Sequence, residues 1–93
     1  MRVVIDNDSS DRCTIIDVFA HDRSGLLYNI SRAIYRLGLS VMRAKIATHL
    51  DQIVDVFYVT NSQGKKISDG DRLREIQTTL AATIEDLERQ PVD

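Results

Sequence analysis

The sequence has one cysteine, one proline, no tryptophan and only two phenylalanines and three tyrosines. With Cys13 alone there is no internal disulfide, and no Cys and His spacing of the kind that holds zinc. No apolar run approaches the ~20 residues of a helical membrane span, so no membrane partner is expected. Met1 to Ser10 is charged or polar at most positions, unlike a secretory signal peptide, and the expected compartment is the cytoplasm. An excess of positive charge is missing as well. Twelve Lys and Arg stand against fourteen Asp and Glu, a formal net charge of -2 with a pI near 5.6. Broad nucleic-acid affinity draws on clustered cations that release counterions, and only Lys65-Lys66 are adjacent here, in a turn after Gly64 that reads as a solvated loop.

What remains is 93 residues, 43% hydrophobic and 28% charged. That is enough for one domain, residues 1–93, burying roughly 60 to 68% of the surface of its unfolded chain. Val3-Val4-Ile5 is a β-branched run, Asp6 to Asp11 favours turns, and Cys13 to Ala20 is strand-like again, which reads as a hairpin. From Ser24 the apolar residues Leu26, Leu27, Ile30, Ala33, Ile34 and Leu37 line one helix face until Gly38 ends it. Ser40 to Thr48 and Ile53 to Thr60 are two further strands joined around His49-Leu50-Asp51. Ser68-Asp69-Gly70-Asp71 then caps a helix bearing Leu73, Ile76, Leu80, Ile84 and Leu87, and Pro91 closes the chain.

Charge suggests a register for the central hairpin. If Arg43, Lys45 and Asp55 avoid the core, the even positions Met42, Ala44, Ile46, Val54, Val56 and Tyr58 face the helices, and pairs sum to 100 across a three-residue loop. A sum of 101 would put Lys45 and Val56 on one face, so we expect 100. The same logic turns Ile16, Val18 and Ala20 of the earlier strand inward and leaves Ile15, Asp17 and Phe19 on the open face. The order strand, strand, helix, strand, strand, helix predicts an α+β sandwich of ferredoxin-like type. Nothing after Leu87 looks like the usual last strand, and Val3 to Ile5 can take its edge position, giving a permuted β-β-α-β-β-α sheet.

The segment Ala20-His21-Asp22-Arg23-Ser24-Gly25-Leu26-Leu27 is where the apolar period changes from two to between three and four, so a strand ends and a helix opens there. Asp22 and Ser24 can cap that helix, and Gly25 puts no side chain between a ligand and the free backbone N–H groups. His21 beside Asp22 is not read as catalytic, since neighbours at a strand end diverge and no Ser or Cys nucleophile stands by. Tyr28 and Tyr35, seven apart, are expected to rim the core with wet hydroxyls.

Thr14 to Leu27, Gly38-Leu39-Ser40-Val41, Ile46-Ala47-Thr48 and Val54-Asp55-Val56-Phe57-Tyr58-Val59-Thr60 together resemble an ACT domain over residues 11–88. The turn Asp22 to Leu27 followed by the Val54 to Val59 strand is similar to the C-terminal ACT domains of the uridylyltransferase/uridylyl-removing family of nitrogen sensors. Ser24 stands where family members often have Pro, and the helix start should survive through its hydroxyl. The resemblance implies an amino-acid-sensing regulatory domain of the ferredoxin-like ACT fold, not itself an enzyme, with glutamine as the best single candidate ligand. It further implies a homodimer, docking onto the catalytic domains of a parent enzyme, and no cofactor or metal. On the same resemblance the ligand contacts are Asp22, Arg23, Ser24, Gly25, Leu26 and Leu27, with Arg43, Ala44, Lys45 and Ile46 reaching in from the second strand of a neighbour.

An amino acid carries a carboxylate and an ammonium ~3 Å apart; amides at a helix start suit the first, and the Asp22 carboxylate or nearby carbonyls the second. Two alternatives share the topology. One is an ACT module that only dimerises or docks. The other is an RNA-recognition sheet with Phe19 and Phe57 on its open face, which the acidic Asp17 and Asp55 on that same face and the net charge oppose.

Overall fold

Alternating β-branched residues and two amphipathic helical runs give, in the computed structural model, six elements: β1 (Arg2–Asp6), β2 (Thr14–His21), α1 (Leu26–Arg36), β3 (Ser40–His49), β4 (Gln52–Thr60) and α2 (Gly70–Arg89). The structure describes residues 1–21, 23–50 and 52–89; Asp22, Asp51 and Pro91 fall outside them. One antiparallel sheet has the order β1-β2-β4-β3, the ferredoxin-like arrangement with β1 in the place of a terminal strand, as expected.

β2 runs through the centre between β1 and β4, and Ile16, Val18 and Ala20 point under the helices as expected. Against them pack Leu26, Ile30, Ala33 and Ile34 of α1 and Ile76, Leu80 and Ile84 of α2. The segment before α2 is tied to the first hairpin by buried polar bonds. Thr14 Oγ1 donates to Asn7 Oδ1 at 2.7 Å and accepts from the Ile67 amide at 3.0 Å, while Asn7 Nδ2 donates to the Ile67 carbonyl at 2.7 Å. α2 starts as its acidic residues require, with the Asp71 amide donating to Asp69 Oδ1 at 3.0 Å.

The central hairpin departs from expectation. Val41 pairs with Val59, but beyond a bulge at Met42 the partners are Arg43 with Tyr58, Lys45 with Val56 and Ile46 with Asp55, so the numbers sum to 101 over most of its length. The closing pair is His49 with Gln52, which leaves two loop residues and not three, with Leu50 held at φ 58°. On β4 it is therefore the odd positions that go inward: Ile53, Asp55, Phe57 and Val59 are buried, and Val54 is exposed. On β3, Ala44 and Ile46 share the helix side with these residues, while Arg43 and Lys45 lie on the open face within 5.8 Å of the Tyr58 ring. The expectation failed because it barred a carboxylate from the core. The larger apolar residues Ile53 and Phe57 set the face of β4 and carry Asp55 in with them. Phe57 and Asp55 are thus absent from the open face, and the pair of aromatics required by an RNA-recognition sheet is not Phe19 and Phe57.

Candidate functional site

β2 ends at His21, and within five residues the chain enters α1. The pivot is Gly25, at φ 82°, a left-handed conformation in which any side chain is strained; a Cβ there would also sit 3.3 Å from Asn29 Nδ2. Gly25 is the N-cap, and among the described residues no side-chain hydrogen bond caps the helix. The expected cap by Ser24 is therefore not formed: the left-handed step brings the Arg23 carbonyl round to accept from the Leu26 amide at 3.2 Å, and Ser24 is left exposed. Asp22, the other expected cap, lies outside the described residues.

Of the amides at the helix opening, Leu26's is thus used, and Asn29's donates to the Gly25 carbonyl at 2.9 Å. The Asn29 side chain donates to that same carbonyl at 2.7 Å. Among the described residues nothing accepts from the amides of Leu27 and Tyr28. They give this end of α1 its partial positive charge.

Below the opening lies a cleft of about 270 Å³. Its wall is the helix start from Gly25 to Tyr28, and its floor is Ile46 and Thr48 of β3 with Ile53 and Asp55 of β4. This is small for a pocket, just below the ~300–1,000 Å³ typical of drug-sized ligands, and it matches a single metabolite. Leu26 closes the inner side at 3% exposure; Leu27, expected on the buried face, is 43% exposed at the rim because it stands at the margin of the stripe formed by Leu26, Ile30, Ala33 and Ile34. Tyr28 and Tyr35 are both exposed, with Tyr28 over the cleft.

Two charged residues line the cleft among the described ones, Arg23 and Asp55. The Arg23 guanidinium donates to the Leu87 carbonyl near the end of α2, where a helix presents negative charge, so Arg23 anchors the turn to the second helix. Asp55 is 1% exposed, between Val18 of β2 and Ile46 of β3.

The sequence-derived contacts divide accordingly. Arg23, Gly25, Leu26, Leu27 and Ile46 meet in the cleft. Ser24 and Ala44 are not in its lining, and Arg43 and Lys45 are on the opposite face of the sheet. Asp55, Ile53, Thr48 and Tyr28 are lining residues that sequence reasoning did not propose. The size of Ile53 and Phe57, two positions either side of Asp55, was the available signal for the first.

Comparison with known proteins supplies the context. A family model described as "ACR9-like, ACT-like domain" matches residues 2–90. The chain is similar to bifunctional uridylyltransferase/uridylyl-removing enzymes, 45% identical over 83 residues to that of Gluconobacter oxydans (89% of this chain) and 40% over 85 residues to that of Azospirillum brasilense (91% of this chain). It spans about 9% of the length of either. Among solved structures, one described as an unknown protein from Galdieria sulphuraria shares the fold, with TM-score 0.64 and 19% identity over 78% of this chain and 39% of that one. No helix among the described residues is long and apolar enough to cross a membrane.

Proposed function

From the premise that this chain belongs to the ACT-like domain family, we propose that it is a regulatory module that binds a free amino acid in the cleft beneath the opening of α1. The observation that carries this reading is the pair of amides, Leu27 and Tyr28, which no acceptor among the described residues takes, in the wall of a metabolite-sized cleft. They suit a carboxylate, and Leu26, Ile46 and Ile53 suit the aliphatic part of a side chain. Two or three charge-assisted bonds at about 1.5–3 kcal/mol each fit a sensor working from micromolar to millimolar concentrations.

The similarity to uridylyltransferase/uridylyl-removing enzymes supports glutamine as the first ligand to try and control of such a catalytic activity as the output. Pairing of two copies is part of the same reading. β3 is an edge strand whose ten residues are all exposed, Val41, Met42 and Ile46 among them at 47%, 63% and 50%, and a partner there would cover unpaired backbone groups and apolar surface together. That edge also favours a second reading, in which the module only pairs or docks and binds no ligand.

Thermal melts with each of the twenty amino acids separate the two. A ligand at a hundred times its Kd adds about 2.7 kcal/mol to stability, which reads as a rise of several degrees in Tm. A panel that leaves Tm unchanged leaves only the pairing role.

A further inference from the structure

We propose that Arg23 is a positioning residue that couples the cleft to the last turn of α2: an amino acid held at the opening of α1 tightens that turn, and fraying of the turn weakens the hold on the amino acid. This rests on the proposed amino-acid site and adds its regulation. Arg23 is engaged at both ends. Its carbonyl accepts from the Leu26 amide at 3.2 Å, the bond that closes the left-handed step at Gly25 and sets the direction in which Leu27 and Tyr28 follow. Its guanidinium donates to the Leu87 carbonyl, 64 residues along the chain. A single residue in the lining of the cleft thus bonds to the start of one helix and to the end of the other.

The end of α2 is the part of that helix readiest to open. Its buried residues are Ile76, Leu80 and Ile84, and beyond them only Leu87, half-buried, still packs against the core. The Leu87 carbonyl is one of the last four of the helix, which have no partner within it. Arg89 lies 3.8 Å from Glu85 and 3.7 Å from Asp86, but exposed pairs of this kind contribute little. Two states follow. In one the turn is formed and its carbonyl holds the guanidinium; in the other the turn frays and the guanidinium is released. Release frees the segment before Gly25 from α2, and the amides of Leu27 and Tyr28 lose a fixed aim. A carboxylate bound to those amides favours the formed state, and by linkage the formed state favours the carboxylate to the same degree.

The test compares the protein with Arg23→Met, which keeps the aliphatic stem and removes the donors. Amide hydrogen exchange at Leu87, Glu88 and Arg89 is followed by ¹⁵N NMR, with and without a saturating concentration of whichever L-amino acid raises Tm most. We expect the amino acid to slow exchange there by at least about threefold in the unaltered protein and by less than about 1.5-fold in Arg23→Met. The reverse direction uses Glu88→Gly, which weakens the last turn. By isothermal titration it should raise Kd at least about threefold in the unaltered background and leave it unchanged in Arg23→Met. Circular dichroism of each protein establishes that the variants fold; should Arg23→Met not fold, the exchange of the unaltered protein and the Kd of Glu88→Gly decide. An amino acid that binds without slowing exchange at these three amides, one that slows it equally in Arg23→Met, or a Kd that Glu88→Gly does not change overturns the coupling and leaves the sensing role standing. If none of the twenty amino acids binds, both fall together.

Discussion

The two edges of the sheet are built differently. β1 is five residues long, Val3 on it is 5% exposed, and two elements hold it: β2, where Arg2 also lies 4.6 Å over the Phe19 ring, and α2, through Gln77 Nε2 donating to the Val3 carbonyl at 2.9 Å. β3 is twice as long, exposed throughout, and interrupted by a bulge at Met42. One edge is tied to a helix by a side chain. The other borders the cleft and is left open, so truncations beside β1 are expected to act on stability and truncations in β3, under the proposed reading, on binding.

The strongest way to break that contrast is to truncate one aliphatic residue from each region. Ile16→Ala, at 0% exposure, should cost about 2–5 kcal/mol in a urea melt, whereas Ile46→Ala at 50% exposure should change stability by less than about 0.5 kcal/mol and act on ligand affinity instead. Equal costs would mean that β3 is as integral to the core as β2.

Next is the polar tie near β1. Thr14→Val keeps the shape but leaves the Asn7 amide oxygen and the Ile67 amide without their buried partner, an expected loss of about 1–3 kcal/mol by the same melt. Amino-acid binding should be untouched, since Thr14 is remote from the cleft lining.

The contrast also governs what could be read in the sequence. The order of elements, the permuted edge, both helix faces apart from Leu27, and the inward side of β2 are legible because each follows from a run of several apolar residues at one period. The register of the β3–β4 hairpin hangs on one residue of slippage, and there a rule about single charges misled: Asp55 goes in because Ile53, Phe57 and Val59 outweigh it. The helix-opening turn was legible in place but not in detail. Gly25 marked it, yet the cap expected of Ser24 is supplied by the Arg23 carbonyl. Arg23 shows the same limit, for its guanidinium spans 64 residues to Leu87 and no local pattern announces that.

The smallest effect sharpens the account of the open sheet face. Partial burial pushes the Asp17 carboxyl above its ordinary pKa, with the nearby Asp6 charge adding to the rise. A raised carboxyl pKa means that the folded state holds the proton more tightly than the unfolded one. Stability from this group is present below the unfolded value of 3.8 and is lost as pH rises through the folded value. Asp17→Asn should therefore stabilise at pH 7 by no more than about 0.5 kcal/mol, with the advantage fading as the pH is lowered toward 4 (about the carboxylate reference). A variant less stable than the parent at pH 7 would show that the charge has a favourable partner in the fold.

Two amides, those of Leu27 and Tyr28, carry the proposed binding. In a ¹⁵N-resolved NMR titration with the amino acid that raises Tm most, the Leu27 and Tyr28 N–H signals should show the largest saturable shifts, followed by Ile46 and Ile53, with β1 nearly still. Shifts centred elsewhere on the chain, or Leu27 and Tyr28 signals that do not move at saturation, would contradict it.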